Sequence, residues 1–206
     1  MKYNYYIFDL DGTLIDTEQA VLQTWQMTLK EFFPKRVFSL DDLKIVLGIP
    51  SEAALKKLNL CTEKDFADRW IDNYSIFSRK TTYFPGVTKA LQTLKSQNCQ
   101  LGIVTSRKRK EYDEFFKSFN LDQFFTIMLW EEDTEKHKPD PQPLYKYLKL
   151  TGAKPETCIY IGDMSTDILC AKASGMAGGL AAWKDCENSY PEADYIFRKP
   201  EEICCL

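Results

Sequence analysis

Two carboxylates, Asp9 and Asp11, follow an apolar run near the start of the sequence, and Gly12 comes directly after them. The apolar run predicts a buried strand, and ligands bind at the carboxyl ends of strands in open α/β sheets. Two carboxylates this close repel each other unless a cation or a shared proton relieves the repulsion. The segment therefore predicts a reaction centre, and it favours a metal ion there.

Two other predicted strands end in polar side chains. Thr105 and Ser106 follow the strand that the sequence predicts over 100–104, and Asp163 follows the predicted strand over 157–161. Any one of these ends is compatible with a turn or a helix cap, because Asp, Ser and Thr are common in both. All three ends together favour a site, because the carboxyl ends of parallel strands lie at one edge of a sheet.

These side chains suit phosphoryl transfer assisted by a metal ion. Carboxylates without a neighbouring histidine or thiolate are typical ligands of Mg²⁺, and Asp9 and Asp163 are the predicted direct ligands. An ionised carboxylate is also a competent nucleophile toward a phosphoryl group. Gly12 leaves room for backbone amides to approach an anion. We predict that Thr105 and Ser106 bind phosphate oxygens, through a hydroxyl and an amide respectively.

The second part of the sequence alternates between strand-like and helix-like patterns. This alternation predicts an α/β fold with a doubly wound, Rossmann-like parallel sheet. The predicted strands cover 100–104, 124–130, 157–161, 177–182 and 193–197, and the predicted helices cover about 87–97, 108–118, 141–150 and 165–174.

A block of helical patterns separates the first strand from this alternating part. It begins after residue 15 and ends before Phe84-Pro85-Gly86, which punctuates the chain. We therefore predict an α-helical cap domain over 16–81, inserted into an α/β core domain of 1–15 and 82–206. Trp25, Phe32 and Phe33 are predicted to form the apolar core of the cap. The predicted cap helices cover 17–33, about 39–47, about 51–59 and about 63–79.

Composition excludes several classes of protein. The chain has 206 residues and a net charge of −3, so nothing suggests a general nucleic-acid binder. The single histidine, His137, lies in a charged Glu-Lys-His-Lys run and is interpreted as a surface residue. A phosphatase that uses a histidine nucleophile with a second histidine is therefore excluded, and so is a zinc site built from several histidines.

Cysteine use and hydropathy indicate the compartment. The chain has seven cysteines, an odd number without zinc-site spacing, which predicts free thiols in a reducing cytoplasm. Asp9 and Asp11 interrupt the first apolar run too early for a signal peptide. No apolar stretch approaches the roughly 20 residues that span a bilayer. Cys204 and Cys205 lack the prenylation pattern and are interpreted as terminal thiols.

Four short motifs, taken together, resemble the haloacid dehalogenase superfamily of phosphohydrolases. They occur in the order that the family shows, and the first of them is specific. They are Asp9-Leu-Asp-Gly-Thr-Leu-Ile-Asp-Thr17, Ile103-Val-Thr-Ser106, Lys138-Pro-Asp-Pro141 and Ile161-Gly-Asp-Met-Ser-Thr-Asp167.

The resemblance implies a role for each matching position. It implies that Asp9 is the nucleophile that forms an aspartyl-phosphate. Asp11 would be the general acid and then the base that activates water, and its backbone carbonyl would touch Mg²⁺. Lys136, two positions before Lys138, is interpreted as a surface charge. The other implied roles are phosphoryl binding by Thr105 and Lys138, metal binding by Asp163, and support of the metal site by Asp167.

The place of the cap resembles the helical-cap subgroup, which includes phosphoglycolate phosphatases and beta-phosphoglucomutases. We therefore predict a Mg²⁺-dependent phosphatase that hydrolyses a small phosphorylated metabolite. Asp11 argues against a dehalogenase, because dehalogenases of the family lack an acid there. Two alternatives stay open at this point: a phosphomutase that returns the phosphoryl group to a sugar hydroxyl, and, with less support, a non-catalytic binding protein with this fold.

Two further segments lie near the predicted site. The segment 47–50 resembles a cap loop that faces the site in relatives, although a simple connection between helices fits it equally well. Trp183 and Lys184 follow a predicted strand, and we interpret them as a loop anchor rather than as the edge of a cleft. We predict a small-molecule phosphate ester as substrate, no membrane or nucleic-acid partner, and a monomer or weak dimer.

Overall fold

The computed structural model describes residues 2–61, 65–184, 190 and 192–206. Its strands are β1 (Tyr5–Phe8), β2 (Ile15–Asp16), β3 (Thr82–Tyr83), β4 (Gln100–Val104), β5 (Ile127–Leu129), β6 (Cys158–Gly162), β7 (Ala177–Ala181) and β8 (Tyr195–Phe197). Its α-helices are α1 (Glu18–Phe32), α2 (Ser51–Lys57), α3 (Phe66–Phe77), α4 (Val87–Ser96), α5 (Arg109–Glu111), α6 (Gln142–Thr151) and α7 (Ser165–Ser174).

The central sheet has the strand order β5-β4-β1-β6-β7-β8, and every neighbouring pair in it is parallel. Strand β1 lies between β4 and β6, so that Phe8, its last residue, is level with Ile103 and Ile161. This register brings the segments that follow β1, β4 and β6 to one edge of the sheet. The predicted doubly wound α/β fold is confirmed.

Helices cover both faces of the sheet, as the alternation of side chains along β1 requires. Tyr6 and Phe8 point to one face and share a buried cluster with Leu91 of α4. Ile7 points to the other face and packs in a second cluster with Tyr147 of α6. Since β1 is buried on both faces, its sequence is a continuous apolar run rather than an alternating one.

The chain leaves and re-enters the region of the sheet through a short antiparallel pair. Strands β2 and β3 form this pair, with Ile15 opposite Tyr83. Helices α1, α2 and α3 all lie between them in the sequence. The rings of Trp25 and Phe32 in α1 lie 5.4 and 5.3 Å from the ring of Phe66 in α3. The predicted apolar packing among these helices is therefore present.

Two predicted helices differ from those observed. The pattern over 39–47 forms only a 3-10 helix, Asp42–Val46. It is short because Gly48 adopts a left-handed conformation with φ +70° and Pro50 follows two residues later. The predicted helix over 108–118 is regular only in α5, and a π-helical turn over Tyr112–Phe116 follows it. In this turn the rings of the adjacent Phe115 and Phe116 lie 5.0 and 6.2 Å from the ring of Tyr74.

The helices and the cysteines bear on the predictions from hydropathy and cysteine use. Among the described residues, none of the helices combines the length and apolar character that crossing a membrane requires. The described cysteines are Cys61, Cys99, Cys158, Cys170, Cys204 and Cys205, and each of these is a free thiol. The seventh, Cys186, lies outside the described residues.

Candidate active site

Asp9 lies at the carboxyl end of β1 and is 3% exposed. Its backbone amide donates a hydrogen bond of 2.8 Å to the carbonyl of Ile161, which continues the β1–β6 ladder by one residue. The carboxylate oxygen Oδ1 of Asp9 lies 3.0 Å from Nζ of Lys138. Burial raises the pKa of Asp9 to about 7, although the Lys138 ammonium counteracts this effect. Asp9 is thus a buried acid that needs positive charge beside it.

Lys138 supplies part of that charge. Its Nζ lies 2.6 Å from Oδ1 of Asp167, so the ammonium stands between two carboxylates with only 3% of the side chain exposed. Burial opposes the charged form of Lys138, but the charges of Asp167 and Asp9 outweigh it and raise the pKa of this lysine. Lys136, in contrast, has 69% of its side chain exposed and forms an ion pair of 3.5 Å with Asp140.

Asp163 and Asp167 follow β6. Asp163 comes directly after the strand, and Asp167 lies in the first turn of α7. Oδ2 of Asp167 accepts a hydrogen bond of 3.0 Å from the backbone amide of Met164, while Oδ1 accepts from Lys138 and from the hydroxyl of Tyr160. Asp167 therefore accepts three hydrogen bonds within the protein, whereas the Asp163 carboxylate accepts a long one from the hydroxyl of Thr13, at 3.4 Å.

Asp9, Asp163 and Asp167 form a cluster that could bind a metal ion, since one carboxylate oxygen of each lies within 4.8 Å of the others. Burial raises the pKa of Asp163, and the charge of Asp167 adds to this effect. A divalent cation beside Asp9 and Asp163 would relieve both repulsion and burial. The donors are all oxygen atoms, which suits a hard cation. The residues present therefore fit such an ion. Asp167 is less available to it, because its carboxylate is paired with Lys138.

Gly12 brings the loop after β1 against Asp163. It has φ +73°, and a Cβ atom there would lie 2.1 Å from Oδ2 of Asp163. The hydroxyl of Thr13, the next residue, donates a hydrogen bond of 3.4 Å to Oδ1 of Asp163. Only glycine allows this conformation and this close approach together. The loop also accepts a hydrogen bond at the Thr13 carbonyl from Nε1 of Trp183, so Trp183 anchors it as we predicted.

Thr105 and Ser106 follow β4 at the same edge. Thr105 is 6% exposed, and its hydroxyl oxygen accepts a hydrogen bond of 3.2 Å from the backbone amide of Arg107. The hydroxyl of Ser106 donates a hydrogen bond of 3.4 Å to the carbonyl of Gly48. The segment 47–50 therefore lines the same cavity as the two aspartates that follow β1. The structure places every predicted site residue at or beside this cavity.

Arg107 is a residue of this site that we did not identify from the sequence. Its side chain is 6% exposed, and its guanidinium binds Asp11 in a bidentate manner, at 2.9 and 2.8 Å. It also donates to Glu111 at 3.0 Å and to the hydroxyl of Tyr74 at 3.1 Å. In the sequence Arg107 begins a basic run with Lys108, which resembles a solvated patch. Only its position directly after the Thr-Ser pair signals a place in the site.

Arg107 sets the charge state of Asp11. Burial favours the neutral carboxyl group, but the Arg107 charge and hydrogen bonds from Arg107 and Thr17 outweigh it and lower the pKa of Asp11. The Asp11 carboxylate thus points toward Arg107 and is not a member of the acidic cluster. The predicted metal contact of Asp11 is through its backbone carbonyl, and that contact stays a prediction.

The sequence model of the family of haloacid dehalogenase-like hydrolases matches residues 6–180 of this chain. These residues contain all four motifs. The chain belongs to the haloacid dehalogenase-like hydrolase family. The predicted resemblance is confirmed.

This haloacid dehalogenase-like hydrolase has relatives of similar length. It is 30% identical to pyrophosphatase PpaX of Halalkalibacterium halodurans, over 98% of this chain and 96% of the relative. It is 29% identical to pyrophosphatase PpaX of Bacillus cereus, over 98% and 95%. A crystal structure described as a "putative phosphoglycolate phosphatase" from Lactobacillus plantarum superposes with a TM-score of 0.88 and 28% identity, over 98% of each chain.

In this haloacid dehalogenase-like hydrolase, Arg107→Lys is expected to lower the free energy of unfolding by about 2 kcal/mol. Lysine keeps the charge but loses the planar fork that binds both oxygens of Asp11. Urea denaturation measures the change. Arg109→Lys is the matched control, because Arg109 has 61% of its side chain exposed and lies 3.6 Å from Asp113. Equal losses in the two variants would show that the bidentate contact does not stabilise the fold.

Proposed function

We propose that this chain hydrolyses phosphate monoesters of small metabolites with the help of Mg²⁺. One observation carries the proposal: the sheet brings Asp9, Lys138 and Asp163 together, although they are far apart in the sequence. Asp9 and Lys138 form a buried ion pair at 3.0 Å, and Asp163 lies in the same acidic cluster as Asp9. Membership of a hydrolase family supports the same chemistry. The finer assignment to Mg²⁺ rests on the all-oxygen donor set.

In the proposed reaction Asp9 attacks the phosphorus atom and forms an aspartyl-phosphate. Lys138 and the hydroxyl of Thr105 hold the phosphoryl oxygens, together with backbone amides near Gly12 and Ser106. Mg²⁺, held by Asp9 and Asp163, would reduce the charge of the phosphate oxygens that repels the attacking carboxylate. Asp167 does not bind the phosphate, because its oxygens are taken by Lys138, Tyr160 and the Met164 amide. It keeps Lys138 in place.

Asp11 is the proposed proton carrier. It donates a proton to the leaving alcohol in the first step and removes one from water in the second. In the observed arrangement Arg107 and Thr17 favour its ionised form, which is the form that the second step needs. The hydrogen bonds also fix where the carboxylate lies.

We further propose that residues 16–81 act as a cap over the site, with 1–15 and 82–206 as the core. Pairing of β2 with β3 at the two crossings supports these boundaries. The hydrogen bond from Ser106 to the Gly48 carbonyl supports a cap that touches the catalytic edge. A cap of this kind would exclude water around the ester. The free thiols support the proposed cytoplasmic location, and a small substrate requires no more than a monomer.

Phosphate release from 4-nitrophenyl phosphate and from a panel of phosphorylated metabolites tests the proposed function. We expect release to require Mg²⁺, to stop with a chelator and to return when Mg²⁺ is added. Sugar 1-phosphates in the panel separate the alternatives, because a phosphomutase yields an isomerised ester and a phosphatase yields free phosphate. Binding of Mg²⁺ without turnover of any ester would favour a non-catalytic protein instead.

A further inference from the structure

The cavity beside Asp9 has a volume of about 690 Å³, which is larger than a phosphate group needs. One end is formed by the acidic cluster and the segment after β4. The other end is formed by the inserted helices and the segment 47–50, with apolar side chains such as Val21, Trp25 and Trp70. The space that the phosphate leaves free must receive the leaving group of the ester. Its chemistry therefore decides which ester is bound.

Two of the lysines that line the cavity are already neutralised. Nζ of Lys184 lies 2.7 Å from Asp16 and 2.9 Å from Glu18. Lys184 thus lines the cavity, contrary to our interpretation of it as a loop anchor only. Nζ of Lys44 lies 2.9 Å from Asp41. The Lys184 pairs are partly buried, whereas the Lys44–Asp41 pair is exposed, with 59% and 86% of the two side chains exposed, and is correspondingly weak.

Arg107 is the other described cation that lines the cavity, and it is also neutralised. Its guanidinium is held by Asp11 and Glu111, at 2.8 and 3.0 Å. Among the described lining residues, every positive charge is therefore paired within the protein. An anionic group on the substrate would therefore meet no cation in this lining whose charge is uncompensated.

Glu131 adds a carboxylate that has no such partner. It follows β5 at the same sheet edge, where its backbone amide donates a hydrogen bond of 2.8 Å to the carbonyl of Arg107. Its side chain lines the cavity, and no described side chain forms an ion pair or hydrogen bond with it. Burial raises the pKa of Glu131, and the charge of Lys108, which is not among the described residues lining the cavity, partly counteracts this effect. A carboxylate in this position favours a hydroxyl or ammonium group on the substrate and repels an anion.

We infer that the space left beside the phosphate in this cavity takes a neutral or cationic group with a hydrogen-bond donor and rejects a second anionic group. This inference rests on the proposed function, because it requires the phosphate to lie beside Asp9. It predicts that this chain does not favour pyrophosphate or phosphoglycolate, the compounds in the names of its relatives, because each carries a second anionic group. Glu131 is the residue that we assign to this discrimination.

Esters of equal length and different charge test the inference. They are phosphoethanolamine, 2-hydroxyethyl phosphate and 2-phosphoglycolate, with inorganic pyrophosphate as a further anionic probe. Each is measured with Mg²⁺ as a substrate and as a competitor of 4-nitrophenyl phosphate hydrolysis. We expect kcat/KM and affinity to be about tenfold higher for the ammonium and hydroxyl esters than for the two anionic probes.

Glu131→Gln tests the assigned residue. The ratio of kcat/KM for 2-phosphoglycolate to kcat/KM for phosphoethanolamine is expected to rise about fivefold, because the repelling charge is removed. Glu135→Gln is the matched control, since Glu135 is exposed and does not line the cavity, and it should leave the ratio unchanged. Both variants are compared by their thermal unfolding, so that a misfolded protein is recognised.

The outcomes separate the inference from the proposed function. Faster turnover of 2-phosphoglycolate or pyrophosphate than of the other two esters would overturn the inference and leave the phosphatase in place. A preference for the ammonium ester that Glu131→Gln does not change would overturn the role of Glu131. Absence of Mg²⁺-dependent phosphate release from all of these esters and from 4-nitrophenyl phosphate would overturn the proposed function and the inference with it.

Discussion

Asp9→Asn is expected to reduce phosphate release by at least about a thousandfold, which is the scale of effect seen when a nucleophile is removed. Asparagine has nearly the same shape as aspartate, but its amide does not attack phosphorus. Asp9 is 3% exposed and lies at the end of a strand, so another side chain cannot readily take its place. Steady-state rates with 4-nitrophenyl phosphate and Mg²⁺ measure the loss.

The control must separate chemistry from folding. Asp72→Asn carries out the same substitution at an exposed position in α3 that does not line the cavity, and its activity should equal that of the unchanged protein. Acid-quenched turnover followed by mass spectrometry should find a phosphoryl group on the Asp9 peptide of the unchanged protein only. If Asp9→Asn kept a tenth or more of the activity, Asp9 would not be the nucleophile.

The residues of this site that the sequence predicts lie at the carboxyl ends of strands. The apolar run before Asp9 and the sharp change to carboxylates were visible in the sequence, and β4 begins and ends where the pattern over 100–104 predicted. Helix α7 also has the predicted bounds, because Gly175 ends it in a left-handed conformation. Local sequence patterns were enough to predict these elements. A parallel sheet then brings the carboxyl ends of its strands to one edge, independently of the conformation of the loops.

Arg107 was not predictable in this way. Two of its partners come from distant places in the chain, Asp11 after β1 and Tyr74 in α3, whereas Glu111 in α5 is only four residues away. A pairing of this kind depends on how the inserted helices sit over the sheet, and no local spacing encodes that. The same holds for Lys184, whose partners Asp16 and Glu18 lie more than 160 residues earlier in the chain. Long-range electrostatics was the part that the sequence left undetermined.

Lys138→Met is expected to lower the free energy of unfolding by about 3–5 kcal/mol, the usual cost of removing one partner of a buried ion pair. The ammonium lies 3.0 Å from Asp9 and 2.6 Å from Asp167, and both carboxylates are buried. Methionine fills much of the volume but leaves these two negative charges facing each other. Urea denaturation in the presence of a chelator measures the loss without a contribution from bound metal.

The neighbouring lysine provides the matched control. Lys136→Met makes the same substitution two positions earlier, where 69% of the side chain is exposed and the ion pair with Asp140 is 3.5 Å long. A surface pair of this kind contributes at most about 1 kcal/mol, so the change should be small. Similar losses at both positions would mean that the ion pair of Lys138 with Asp9 and Asp167 does not stabilise the fold.

The deficit of Lys138→Met is also expected to depend on pH. Burial raises the folded pKa of Asp9 to about 7 even with Lys138 present, and removal of the ammonium raises it further. A group whose pKa is raised in the folded state favours folding at low pH and opposes it as the pH rises through that pKa. Below about pH 7 Asp9 is largely protonated in both folded proteins, so the difference in unfolding free energy between them should change little there. It should grow as the pH rises from about 7 to about 9, where Asp9 ionises in the unchanged protein first. A difference that stayed constant over this range would show that Lys138 does not control the ionisation of Asp9.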